Sequence, residues 1–145
     1  MSKSNAWENG LLLLTFNNTN FATVGDATGL RGSSAAGILY FSLHTADPGE
    51  TGTQTTNEAA YTSYARVAVA RSGSGFTVTA NAVATAADVS FPAGTGGSGT
   101  ATHFGIGTAA SGAGVLLYKG AISPSIVLGD GITPSLKAGT VVTED

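Results

Sequence analysis

The amino-acid sequence predicts an all-β fold of about eight short strands, a sandwich or a barrel, entered through one short helix. Three observations carry this reading. Segments in which apolar and polar residues alternate recur along the chain, bounded by turn residues about every 8 to 12 positions. The 145 residues include 21 glycines and four prolines, the punctuation that tight turns need. No helical period alternates with the strands, so a parallel α/β fold is excluded.

Residues 4–16, SNAWENGLLLLTF, predict the helix. Asn5 is the expected N-cap with Glu8 completing a capping box, and Trp7, Leu11 and Leu14 share a face at i, i+4 and i+7. Gly10 weakens the helix by about 1 kcal/mol relative to alanine. A helix this short needs a surface to dock on, either its own sheet or a neighbouring subunit. Residues 1–18 are therefore set apart as an N-terminal helical arm, and 19–145 as a single β domain of a size that supports one core. Thr19–Gly37 has no sustained period and reads as a long loop suited to partner contact.

Ile38–His44, ILYFSLH, is apolar on both faces and reads as a central strand, stopped by Asp47-Pro48-Gly49. Thr45–Asn57 is a second loop. Tyr64–Ala70 alternates again, Ser72–Gly75 turns, and Phe76–Thr79 returns as a hairpin partner. Val83–Thr85 and Asp88–Phe91 are short strands, the second closed by Pro92. Ala93–Thr100 is a low-complexity loop. Thr102–Ile106 and Val115–Gly120 follow as strands, Ser123-Pro124 breaks the chain, and Ile126–Leu128, Ile132-Thr133 and Thr140–Thr143 complete the set.

Composition excludes several function classes. The net charge is −3, and six Lys and Arg are scattered along the chain, so the basic cluster that neutralises phosphates is missing and no nucleic-acid partner is expected. Without cysteine there is neither a disulfide framework nor a thiolate metal site. No run approaches the ~18 apolar residues of a membrane helix, and Leu11–Leu14 is too short for an export signal. Low charge leaves a neutral surface, which suits a protein packed against others.

Candidates for chemistry are few. His44 and His103 are the two histidines, with too few acidic neighbours in sequence to complete a metal site. No Gly-x-Ser-x-Gly elbow positions a nucleophile. Gly94-x-Gly96-x-x-Gly99 matches a dinucleotide fingerprint in spelling, but a strand follows where that fingerprint needs a helix. Asp47, Glu50 and Glu58 are loop carboxylates that read as solvation. Tyr61, Tyr64, Arg66 and Arg71 are a possible interface patch or an ordinary sheet surface. No catalytic, metal or cofactor residue is assigned, and no enzyme is expected.

Several stretches carry a resemblance: Leu43–Gly49 (LHTADPG), Tyr64–Val67 (YARV), Val89–Ala93 (VSFPA), Thr102–Ile106 (THFGI) and Leu116–Ala121 (LLYKGA). They look like a family of small structural proteins of tailed bacteriophages, often labelled tail fibre proteins, of which some are similar to capsid decoration or cement proteins, including the jelly-roll cementing protein of a Bordetella phage. The resemblance covers roughly residues 38–121, and more weakly Ala6–Asn9. It implies a jelly-roll-like antiparallel β-sandwich with no catalytic residues. It implies a decoration protein made in the host cytoplasm and carried on the outer capsid surface, where it bridges capsomers of an HK97-type shell. The major capsid protein is then its partner, and a homo-oligomer is expected, a dimer before a trimer. Trp7, Leu11, Leu14 and Arg31 are the expected contact residues. A tail or fibre component is the alternative, and a carbohydrate-binding β-sandwich a third reading.

Overall fold

A computed structural model describes residues 2–22, 24–25 and 28–144. Among these residues the chain is all-β, with one N-terminal helix and nine strands: α1 (Asn5–Asn17), β1 (Ile38–His44), β2 (Val67–Ala70), β3 (Phe76–Thr79), β4 (Ala82–Thr85), β5 (Val89–Ser90), β6 (Ser98–Gly107), β7 (Leu116–Gly129), β8 (Ser135–Leu136) and β9 (Val141–Thr143). The sheets run β2-β1-β6-β7, β3-β4-β9 and β5-β8. The chain forms two compact units. The first comprises Met1–Ile38, Ala70–Asp88 and Lys137–Asp145, the second Leu39–Val69 and Val89–Leu136.

In the first unit the helix packs on the β3-β4 hairpin. Its N-cap is Ser4, one residue before the expected Asn5; the extended backbone at Ser4 lets its hydroxyl accept from the Trp7 N–H at 3.4 Å. The buried face is Glu8, Leu12 and Phe16, at i, i+4 and i+8, with the Phe16 ring edge-on to Phe76 at 4.9 Å. Trp7, Leu11 and Leu14 are half-buried. Four consecutive leucines place an apolar residue on every side of the helix, so periodicity alone did not mark the docked face.

The segment after the helix folds back over it. Phe21 and Leu30 exchange backbone hydrogen bonds of 2.8 and 2.9 Å, and the Asn18 amide both donates to the Ser33 carbonyl (2.8 Å) and accepts from the Ser33 N–H (2.7 Å). Trp7 lies against Phe21, ring centres 5.2 Å apart. Gly10 faces the same ring, which a β-carbon there would strike, so the glycine that weakens the helix is the notch that admits Phe21. Of the expected 19–37 loop, residues 23, 26 and 27 lie outside the described residues, and Arg31 is exposed.

Arg71 closes this unit. Its guanidinium donates to the Thr15 and Leu14 carbonyls at 2.6 and 2.7 Å, to the Ala36 carbonyl at 3.0 Å and to the Ser33 hydroxyl at 2.8 Å. Carbonyls of a helix's last turn have no intrahelical donor and carry its negative dipole end, so a cation there is doubly favoured.

In the second unit β1 is central and covered on both faces, as its apolar pattern requires. Its register with β6 sets Phe41 opposite Ile106, Ser42 opposite Gly105 and His44 opposite His103. Two expectations change here. The last three residues of the Gly-rich stretch read as a loop are the start of β6, where Ser98–Thr100 pair with Val127–Gly129; small residues are tolerated because the ladder bonds are backbone bonds. Ser123-Pro124 falls inside β7 and does not end it, but it does interrupt the ladder to β6, which has no pairs at residues 122–125. Proline is admitted because β7 is at the sheet edge, where an N–H can be missing.

Replacing Arg71 with methionine is expected to lower stability by about 2 kcal/mol, the scale of losing charge-assisted hydrogen bonds to carbonyls left without donors. Arg71→Lys should recover less than half of it, because one ammonium cannot reach carbonyls on two sides. Urea unfolding monitored by circular dichroism reads both.

Candidate functional site

The polar residues singled out in the sequence converge on the second unit, and most of them face inward. Glu58 and Arg66 form a two-pronged ion pair, Nε to Oε1 at 2.7 Å and Nη2 to Oε2 at 2.8 Å. The Arg66 side chain is 2% exposed and that of Glu58 15%. Arg66 also donates to the Ala109 and Gly112 carbonyls, at 2.9 and 2.8 Å. Tyr64 donates to Glu58 at 2.9 Å and accepts the Leu43 N–H at 3.0 Å, and burial pushes its hydroxyl pKa far above the usual phenol range. Tyr61 is buried and donates to the Pro92 carbonyl at 2.7 Å. Thus Tyr61, Tyr64 and Arg66 are internal struts, as Arg71 is in the first unit, and not an exposed patch.

The other face of β1 holds a serine and a histidine. The His44 Nδ1 lies 2.8 Å from the Thr56 carbonyl, which can only accept, so the proton is on Nδ1; Nε2 then accepts from the Ser42 hydroxyl at 2.8 Å. This is the hydrogen bond a general base would make to a nucleophile. Both residues, however, are fully buried, and both ring nitrogens are occupied. Burial holds the His44 pKa below its ordinary value, against the opposing pull of the Thr56 carbonyl and Glu58. Gly105 makes the space, since a β-carbon there would lie 2.7 Å from His44 Nε2 and 2.8 Å from Ser42 Oγ. The pair is a packing device that orders the start of the Thr45–Asn57 loop.

Gln54, unmarked in the sequence, completes the loop's attachment. It is fully buried, accepts from the Ala109 N–H at 2.9 Å, and occupies space that β-carbons at Gly107 and Gly114 would take. The one signal for it was a lone glutamine among threonines, too weak to use. His103 is half-buried beside Thr102. Asp47 and Glu50 lie at the surface and pair with Lys119 at 3.0 and 3.2 Å; the Gly49 N–H and Lys119 hold the Asp47 carboxyl below its usual range. Among the described residues no group of acidic, histidine or cysteine side chains could hold a metal ion, and no helix is long and apolar enough to cross a membrane.

The surface also presents large apolar side chains. Ile38, Val115, Leu117, Val127 and Val141 are exposed, and three of them lie in or beside β7, an edge strand of 14 residues whose one charge is Lys119. Trp7, Leu11 and Leu14 leave part of their area in solvent, and Arg31 is exposed.

The model of the family described as Podophage GP4 fiber I protein gp80 matches residues 2–144. No curated protein matches the chain.

Breaking the buried ion pair on one side leaves an unpaired charge, so Arg66→Met and Glu58→Gln are each expected to cost about 3–5 kcal/mol. The double variant should cost at least ~1 kcal/mol less than the sum of the two, as measured in denaturant. His44 gives a pH dependence with a definite sign. Its folded pKa lies below 6.5, the unfolded value, so below about pH 6.5 the unfolded chain takes up a proton that the folded chain refuses. Stability should therefore be full above that pH and fall on acidification, and His44→Gln should flatten the decline between about pH 6.5 and 5 in urea midpoints.

Proposed function

The chain belongs to the Podophage GP4 fiber I protein gp80 family and is a phage structural protein of the virion; from that premise we propose that it is a capsid decoration protein. It binds the outer face of an HK97-type shell and bridges neighbouring capsomers, with the major capsid protein as partner. The observation that carries this reading is the kind of surface the fold presents. Lys3, Arg66, Lys119 and Lys137 are all engaged in ion pairs within the chain, and Arg71 is spent on backbone carbonyls. Large apolar side chains stay exposed beside them. Such a surface gains more from neutral, close-packed neighbours than from charged ligands. Stabilisation then follows mass action: a protein that binds the assembled shell and not its separated subunits shifts the balance toward the shell.

The word fibre in the family's description favours a second reading, a tail or fibre component that contacts tail proteins or a host receptor.

Purified chain mixed with shells that lack it separates the two. On the decoration reading it co-sediments with shells at a saturable ratio, and the decorated shells open at higher temperature than bare ones. If shells fail to retain the chain while isolated tails do, the decoration reading falls and the fibre reading takes its place.

A further inference from the structure

We infer that the groove between the 49–52 turn and the start of β7 is a docking site for an extended, basic peptide segment of a second protein, which lies along the free edge of β7 and sets one lysine or arginine against Glu50. The groove is lined by Gly49, Glu50, Gly52 and residues 116–119, and encloses about 220 Å³. That is below the ~300 Å³ at which sites for free small molecules begin, and suits one inserted side chain. Both walls belong to the second unit.

Three features define what fits there. The first is backbone: β7 closes one end of the order β2-β1-β6-β7, so one side of it has no partner strand among the described residues. Over 118–121 its ladder to β6 is regular, facing 103–106 residue by residue, and a regular open edge is what an extended segment pairs with. The second is apolar contact. Leu116 pairs with Gly107 and Tyr118 with Ile106, so Leu117 is the extra residue of a bulge; bulges re-aim side chains, and Leu117 is left 38% exposed on the wall of the groove.

The third is charge, an exception on a largely neutral surface. The Lys119 ammonium lies 3.0 Å from Asp47 Oδ1 and 3.2 Å from Glu50 Oε1. Two carboxylates thus share one cation, which leaves one negative charge unmatched within the cluster. The Glu50 side chain is 91% exposed, free to meet a second cation from outside. A lysine ordinarily blunts a strand edge; here its charge is more than cancelled, and the groove attracts a base. On the decoration role proposed above, on which this rests, the segment belongs to the major capsid protein.

Binding to shells that lack the chain tests it. Glu50→Lys, at an exposed position, should keep its circular dichroism and bind at least tenfold more weakly than the unmodified chain. Glu50→Gln should bind about threefold more weakly, the scale of one exposed ion pair. Val127→Lys makes the same change in net charge at the other end of β7, where position 127 is 62% exposed, and should bind as the unmodified chain does. Outward-facing amides within 118–121 should exchange hydrogen more slowly on the shell than in the free chain. Full binding by Glu50→Lys overturns the groove and leaves decoration standing; equal weakening by Glu50→Gln and Val127→Lys does the same, since it reports net charge alone. Shells that retain no unmodified chain overturn the decoration role, and the occupant named here with it. If the free chain self-associates and Glu50→Lys abolishes the association, the groove takes a second copy and the proposal falls.

Discussion

Glu58 and Arg66 meet through two short hydrogen bonds inside the second unit, and stretches far apart in sequence hang from that pair. Arg66 reaches the carbonyls of Ala109 and Gly112, 43 and 46 residues away. Glu58 receives Tyr64, which in turn accepts the N–H of Leu43 on the central strand. The physical demand behind this is general. A loop that leaves the sheet loses its ladder partners, and each buried carbonyl or N–H without a substitute costs about 1–3 kcal/mol. Guanidinium, with five donors in a fixed fork, answers several carbonyls at once. Arg71 does the same in the first unit, gathering the end of the helix and residues 33–36.

That use of charge shapes the outside of the molecule. The chain has six Lys and Arg in all, and two are consumed by internal carbonyls while others pair with nearby carboxylates. Beside a few exposed charges such as Arg31 and Asp130, what remains exposed is mostly threonine, serine, alanine, glycine and a handful of large apolar residues. Such a surface is poorly suited to a phosphate or an ionic substrate and well suited to neighbours held at high local concentration in a particle. Structure and function are joined by this economy: charged residues hold loops in place, and neutral residues are left for contact.

Much of the fold was legible because it rests on local pattern. Leu39, Phe41 and Leu43 on one face and Ile38 and Tyr40 on the other announced a strand in the middle of a sheet, whereas the Ser72–Gly75 turn pointed to a hairpin of Tyr64–Ala70 with Phe76–Thr79 that does not form, because β2 pairs with β1 and β3 with β4. The failures have physical reasons. Four leucines in a row blur the helical period, so the i, i+4, i+7 spacing points to Trp7, Leu11 and Leu14 where Glu8, Leu12 and Phe16 are buried. Glycine and serine at 98–100 suggested a loop, yet a strand paired through its backbone tolerates them. Tyr64 and Arg66 extended an apparent alternation, but the strand begins at Val67 because both side chains are drawn into the Glu58 network. Gln54 and the Ser42–His44 pair depend on contacts between distant segments, which no local pattern records. The family's structural role, by contrast, was carried by short motifs such as Leu43–Gly49 and Thr102–Ile106, whose residues turn out to be scaffold.

The measurement that bears most directly on the virion role is cryo-electron microscopy of intact particles, asking where this fold sits. Density for the helix and the four-stranded sheet on the outer face of the shell, between capsomers, is the expected result. A shell bare of that density, with the same fold resolved in the tail, would contradict the decoration role while leaving the chain's place among phage structural proteins intact.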